Sequence, residues 1–342
     1  MTEATRRICL VPKLAGVGGM VSFQAKLAAG LLRRHYEVCY SLADRPFDAV
    51  LVIGGTRNLK GLWQARRSGI PIVQRLDGMN WLHRRRKTGL RHYLRSEAGN
   101  LLLALTRARF ADRIVYQSHF ARQWWQRVYG VEKAPGAVIY NGVDLAVFSP
   151  DGPHRRPDQR YQILLVEGSL AGGYEGGVET AVKLGELLHG ERQLPVEVVV
   201  AGKMSAGLQR HWRERASFPL RFLGVVPHER IPEIDRSAHL LYAADLNAAC
   251  PNSVIEALAC GLPVISFDTG ALPELVQGGA GRIAPYGGDP WRLDPPNLEG
   301  LAQAALDVLR NQDRFRIAAR RRAEDAFSLE GMVDAYLSVL LS

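Results

Sequence analysis

A two-domain α/β chain built on parallel sheets is the fold class that this sequence predicts, and three observations carry the expectation. Short apolar runs alternate with segments of helical spacing along the whole chain, which is the pattern of βα units. At 342 residues the chain is too long for one comfortable core and suits two domains. A polar, proline-bearing stretch at 151–160, DGPHRRPDQR, reads as a linker. The expected organisation is a first domain over 1–150, a second over 151–325 and a terminal helix over 326–342.

In the first half, 7–12 (RICLVP) is a strand, followed by a loop with Gly16, Gly18 and Gly19 and a helix over 20–32. Strand, glycine loop and helix together make an anion-binding arrangement, because backbone N–H groups converge at a helix start; the same glycines also allow a tight βα turn. Strands follow at 37–41, 49–53 and 70–74, with a helix at 59–67. Ligands of such a sheet bind at the carboxyl ends of its strands. One such end is 75–81, RLDGMNW, where Asp77, Asn80 and Trp81 offer an acid, an amide and a ring to a hydroxyl-rich ligand. The Asp-Gly pair is equally a turn signal. Next comes a basic run, 83–95, with Arg85 and Arg86 near its start, which reads either as a solvated face or as a surface for phosphate groups or anionic lipid. An apolar helix over 100–111, a strand over 113–117, a helix with Trp124 and Trp125, and a strand over 137–140 complete this half.

The second half opens with a strand over 161–166 and a glycine-rich loop over 167–177 containing Gly168 and Ser169. Backbone donors in such a loop can cradle a diphosphate. A helix over 178–188 and a strand over 194–201 lead to Gly202 and Lys203, which sits either in a surface turn or beside the same anion. Strands over 219–225 and 239–243 flank a helix over 231–236. The stretch 251–274, PNSVIEALACGLPVISFDTGALPE, reads as helix, turn, buried strand and turn. Pro251 suits a helix start, Asn252 and Ser253 suit local capping, and Gly261 suits a left-handed exit. Glu256 is the odd residue, a carboxylate on the expected first turn of an apolar helix. It can accept two sugar hydroxyls, although the helix dipole alone also favours an acid there. A strand over 280–284, a loop over 285–296 and helices over 298–309, 314–327 and 330–341 end the chain, with Arg320 to Arg322 expected to face solvent.

Composition narrows the partners. Lys and Arg number 44 against 34 Asp and Glu, a net charge of +10, which suits nucleotide diphosphates, anionic lipid or nucleic acid. No zinc-finger, KH or RNP pattern accompanies the charge, so no nucleic-acid partner is expected. Cys9, Cys39, Cys250 and Cys260 form no C-x-x-C pair and read as reduced, structural cysteines of a cytoplasmic protein. No signal peptide and no run of roughly 20 apolar residues stands out.

Glu256 with the A-C-G-L-P-V turn at 259–264 and the G-x-x-P-E at 270–274 resembles the nucleotide-binding segment of glycosyltransferase family 4. Gly18-Gly19, the N-G-V-D of 141–144 followed by F-x-P, and the V-P-H of 226–228 extend the resemblance over nearly the whole chain. It implies the GT-B fold, two Rossmann-like domains facing across a cleft, with the terminal helix crossing back onto the first domain. It implies a retaining transferase that takes a sugar from a nucleotide-diphosphate sugar. No D-x-D motif is present, so metal independence is expected and no cofactor beyond that co-substrate. The implied donor residues are Gly18, Gly19, Gly168, Ser169, Asn252, Ser253 and Glu256, the last on the ribose. Asp77 falls in the catalytic region, with Asn80, Trp81, Arg85 and Arg86 on the side of a carbohydrate, phosphorylated or lipid-linked acceptor. Peripheral contact with the anionic inner membrane face fits the basic run.

Three departures stand against that pattern. Relatives of this kind carry an Arg where Ser169 stands, a Lys where Glu175 stands and an acidic residue where Ala248 stands. Lys203 is the substitute cation nominated for catalysis. A non-catalytic sugar-nucleotide or glycan-binding protein, or a sugar-nucleotide epimerase, is the alternative.

Overall fold

The computed structural model describes residues 5–16, 18–86, 89–170 and 175–342. The chain divides into two compact units, Met1–Gly142 with Leu329–Ser342, and Val143–Ser328. The division at Gly142 falls ahead of position 150.

The first unit runs β1 (Arg7–Val11), α1 (Gly19–Arg33), β2 (Glu37–Cys39), β3 (Ala49–Ile53), α2 (Leu59–Arg67), β4 (Ile72–Leu76), α3 (Leu90–Arg109), β5 (Arg113–Tyr116), α4 (His119–Tyr129) and β6 (Gly136–Val138). Its sheet has the order β2-β1-β3-β4-β5-β6, and every pairing is parallel. Strands β3 and β4 are buried at every residue, as expected of parallel strands covered on both faces. The strand order reverses at β1, so the loop of Gly16 and Gly18 and the turn of Gly54 and Gly55 follow the two strands flanking the switch point, where such sheets bind ligands. Two expectations change here. β4 begins two residues later than the apolar run implied and takes in Arg75. The end of the basic run, from Leu90 to Arg95, and the apolar helix after it join into one 20-residue helix, α3, entered through Gly89 at φ +84°.

The second unit runs β7 (Tyr161–Ser169), α5 (Gly176–Glu186), β8 (Val196–Lys203), α6 (Ala206–Arg215), β9 (Leu220–Gly224), α7 (Ile231–Ser237), β10 (Leu240–Tyr242), α8 (Asn252–Ala259), β11 (Val264–Phe267), α9 (Leu272–Leu275), β12 (Gly281–Ala284), α10 (Leu298–Arg310) and α11 (Gln312–Ala326). The order is β12-β11-β10-β7-β8-β9, again all parallel, with its switch point at β7. Helix α6 has no buried residue, so no apolar periodicity announced it; Ser205 starts it by accepting the Leu208 N–H. Strands β7 and β8 outrun their apolar cores. They stay paired as far as Ser169 and Lys203 across an irregularity after Val166. Gly202 permits this, because a Cβ there would stand 2.3 Å from the Glu167 carbonyl oxygen.

Arg320 and Arg322 do not simply face solvent. The Arg320 guanidinium donates to the carbonyls of Leu145, Phe148 and Ala259, and Arg322 donates to those of Glu274 and Leu275. Only Arg321 keeps its side chain largely in water.

The chain ends in α12 (Leu329–Leu341), which belongs to the first unit. Met332, Val333, Tyr336 and Leu340 are buried in one cluster with Phe23, Leu27 and Leu31 of α1. Gly30 lets the two helices touch: a Cβ there would lie 2.4 Å from the Val333 methyl. Arg33 and Arg34 close the seam on Glu330 and Asp334, each at 2.8 Å. No helix among the described residues is long and apolar enough to cross a membrane.

Candidate functional site

In the second unit the candidate residues gather at the carboxyl edge of the sheet. Helix α8 starts from Pro251, which offers no side-chain cap; Asn252 and Ser253 are already its first two residues. Glu256 therefore lies in the second turn, not the first, and is buried on the apolar side among Val254, Ile255 and Leu258. Its burial is not explained by the helix dipole, which acts on the first turn. Glu256 Oε1 is 2.9 Å from His228 Nε2, and the His228 ring lies 5.3 Å from the ring of Phe148. Behind them is an acid that sequence periodicity passes over, Asp235 of α7. It is 1% exposed and neither of its oxygens has a hydrogen-bond partner among the described residues. Burial first, and then the negative Glu256, push its carboxyl up from the ordinary carboxylate value.

The switch-point strand β7 ends in Glu167, Gly168 and Ser169. Ser169 is the direct partner of Lys203 in the ladder, so Lys203 is the last residue of a strand and not part of the turn after it. The two residues stand side by side, with Lys203 exposed. Leu170 N–H donates to the Lys203 carbonyl at 2.9 Å, which removes it from any set of free backbone donors. Positions 171–174 of the expected glycine loop lie outside the described residues. Beyond them Glu175 precedes α5, whose Gly177 is tight enough against Ala244 that a Cβ would be 2.8 Å from the Ala244 methyl. The start of α5 thus adjoins the loop after β10. That loop carries Asp245, and burial raises its carboxyl; burial and then Asp245 raise Glu167. Ala248 brings backbone only: Gly270, at φ +61°, has room for no Cβ beside it, and Ala271 N–H donates to its carbonyl at 2.8 Å. Asn247 Nδ2 and Thr269 Oγ1, in the loops after β10 and β11, are buried without a partner among the described residues.

The acid pair makes a pH prediction. A carboxyl raised on folding binds its proton more tightly in the folded chain, so its stabilisation is full below the ordinary carboxylate pKa of about 4.3 and is lost as pH rises through the raised value. Glu167→Gln is therefore expected to gain about 1–2 kcal/mol over wild type between pH 5 and pH 9. Urea denaturation at both pH values measures it; curves that move in parallel contradict the assignment.

In the first unit Gly18 precedes α1 at φ +148° in open space, and Gly19 begins the helix with no side-chain cap over its backbone donors. Asp77 follows β4, and its carbonyl accepts the indole N–H of fully buried Trp125 at 2.7 Å. Burial raises the Asp77 carboxyl, against the pull of Arg75. Arg75 is 1% exposed in the middle of the core, which no apolar pattern would announce. It donates to Asn141 Oδ1 at 3.0 Å, stacks 3.8 Å from the Phe23 ring centre, and faces the Gln117 amide oxygen at 2.6 Å when that amide is turned toward it. Asn141 of the N-G-V-D stretch thus holds a buried charge.

Asn80 and Trp81 lead into a single turn, Leu82–Arg84. Asn80 is tied to α3: its N–H donates to Asn100 Oδ1 at 3.0 Å and its carbonyl accepts from Asn100 Nδ2 at 2.8 Å. The basic run is partly spent within the unit. Arg84 and buried His83 both bond Glu97, and they hold that carboxyl down at about 2. Arg85, Arg91 and Arg95 are exposed, Arg86 is half-buried, and Lys87 lies outside the described residues. Among the described residues no group of three or more His, Cys, Asp or Glu side chains could hold a metal ion.

The description glycosyl transferases group 1 matches residues 162–311, and Glycosyltransferase Family 4 matches residues 40–147. O-antigen chain mannosyltransferase B of Escherichia coli is 25% identical over 173 residues, 48% of this chain and 42% of that protein. The chain spans about two fifths of the length of the curated relatives it matches first. Sucrose-phosphate synthase from Thermosynechococcus elongatus superposes with a TM-score of 0.74 at 15% identity, over 98% of both chains. HepE of Anabaena, solved in complex with UDP and glucose, gives 0.66 at 15% identity over 98% of this chain and 99% of that one. At such identity the structural likeness speaks for the fold, here two Rossmann-like parallel-sheet domains of the GT-B kind. With consecutive matches through both units, the chain belongs to the GT4/GT-B glycosyltransferase superfamily.

Proposed function

We propose that this chain is a retaining, metal-independent glycosyltransferase whose nucleotide-sugar donor binds at the carboxyl edge of the second unit's sheet. The observation that carries the reading is Glu256, a carboxylate buried in an apolar helix at that edge with His228 as its partner. Glu256 takes the ribose hydroxyls. Gly168, Ser169 and the neighbouring Lys203 receive the diphosphate, and Lys203 supplies the cation that relatives place at position 169. The N–H groups of Gly176 and Gly177 at the start of α5 add positive potential, and Asn252 and Ser253 line the start of α8. Gly18 and Gly19 offer backbone donors at the switch point of the first unit. Asp77, with Asn80 and Trp81, receives the acceptor hydroxyl, and attack and departure take place on the same sugar face. Metal independence rests on the absence of a D-x-D sequence. Incubation with UDP-, GDP- and ADP-sugars and a panel of lipid-linked and phosphorylated acceptors, read by mass spectrometry, tests the activity; donor binding with no transfer across the panel favours the binding-only alternative. The Glu167–Asp245 pair supports that alternative, since it sets acids where a diphosphate needs cations.

A peripheral contact with anionic membrane is part of this reading, and α3 supports it. Leu90, Leu94, Leu101 and Leu105 fall on one helical face and are 75%, 58%, 66% and 38% exposed. Arg85, Arg91 and Arg95 flank its amino-terminal half. Replacing those three by Gln is expected to weaken association with anionic vesicles on the order of 100-fold at low salt, at about 1 kcal/mol per charge. Flotation with anionic and neutral vesicles measures it, and equal flotation of variant and wild type contradicts it.

A further inference from the structure

The amino-terminal edge of the second unit's sheet lies at the other end of β7 from Ser169, roughly 25 Å away at the rise of an extended strand. A groove of about 620 Å³ opens there between the segment that enters β7, His239 before β10 and the turn from α10 to α11. Arg156, Arg310 and Arg314 line it, and Arg316 stands behind Arg156. None of these four forms an ion pair among the described residues, although Asp158 and Asp313 share the groove.

Two of the guanidinium groups are fixed in place. Arg156 Nε and Nη2 donate to the Arg236 carbonyl at 3.2 and 3.0 Å, and Arg316 Nη1 donates to the Ala238 carbonyl at 3.2 Å. These bonds hold like charges close together instead of letting them separate into solvent. Burial, and then the charge of Arg156, draw Arg316 down to about 10. His239 adds a directed donor. Its Nδ1 accepts the Gln162 N–H at 2.9 Å, so the proton of the neutral ring is on Nε2. Burial, followed by Arg156 and Arg316, keeps that ring neutral by lowering it to about 4.

We propose that this groove is a second anion site, separate from the donor edge, that takes a phosphate or diphosphate group between Arg156, Arg310 and Arg314 with His239 Nε2–H as a neutral donor. Asp313 is the carboxylate that acts on both Arg156 and Arg316, so a dianion adds counter-charge to a groove with more guanidinium than carboxylate groups, and planar guanidinium forks match phosphate oxygens in geometry. A small phosphate ester fits the volume.

Calorimetric titration of the whole chain with inorganic pyrophosphate at constant ionic strength tests this. Arg310 and Arg314 are exposed and their side chains make no hydrogen bond among the described residues, so the double variant Arg310→Gln, Arg314→Gln is expected to fold as wild type does. It should lose at least 10-fold in pyrophosphate affinity. The charge-preserving pair Arg310→Lys, Arg314→Lys should retain part of the affinity, and Lys203→Gln, at the opposite edge, should retain the groove's binding step. Unchanged affinity in the Gln pair, or loss in Lys203→Gln alone, overturns the site; so does wild type that shows no saturable binding.

Discussion

Replacing Glu256 by Gln should weaken nucleotide-sugar binding by about 1.5–3 kcal/mol, the range for hydrogen bonds to a charged group, or roughly 10- to 150-fold in dissociation constant. The amide keeps the volume and one acceptor oxygen, so α8 and its apolar contacts should survive. What goes is the charge that two ribose hydroxyls would share with His228 Nε2, now 2.9 Å away. A second consequence follows for Asp235, whose carboxyl is raised in part by the Glu256 charge. Removing that charge should lower it. Calorimetry with UDP- and GDP-sugars on folded wild type and variant measures the first effect. Equal affinities would remove Glu256 from the donor site.

Arg75→Met carries the largest expected loss of stability, about 2–5 kcal/mol in the first unit. Methionine fills much of the volume and keeps an apolar contact with Phe23. It takes from Asn141 Oδ1 and the Gln117 amide the guanidinium donor that they share. Asp77 also loses the one charge that pulls its carboxyl down, so that group should titrate still higher. Urea denaturation followed by tryptophan fluorescence reports the stability, with fully buried Trp125 bonded to the Asp77 carbonyl as a local probe. An unchanged midpoint would mean that the buried guanidinium is not a structural tie.

Much of the architecture was legible because parallel strands buried on both faces are continuous apolar runs, and such runs stand out between helices. β3 and α2 fall at the expected residues. The misses share one cause, residues whose structural role is not written in apolarity. Helix α6 buries nothing. The ends of β7 and β8 are held by the ladder pair of Ser169 with Lys203, not by a core. Arg75, Asp235, Arg320 and Arg322 are polar residues turned inward, where partners distant in sequence or complete burial define them.

The site was legible in part for the same reason. Glu256 stood out as an acid in an apolar helix, and Gly261 at φ +67° ends that helix as the turn requires. The pairing of Lys203 with Ser169 could not be read, because it depends on the register of two parallel strands 34 positions apart. The meeting of Glu167 with Asp245 depends likewise on the strand order β10-β7.

A crystal structure of the chain soaked with its tightest-binding nucleotide sugar tests the central assignment most directly. The account predicts ribose hydroxyls on the Glu256 carboxylate, the diphosphate beside Ser169 with Lys203 Nζ within about 3 Å of a phosphate oxygen, and the Gly176–Gly177 N–H groups directed at it. A ribose elsewhere, with Glu256 still bound to His228 and Lys203 turned to solvent, would contradict it.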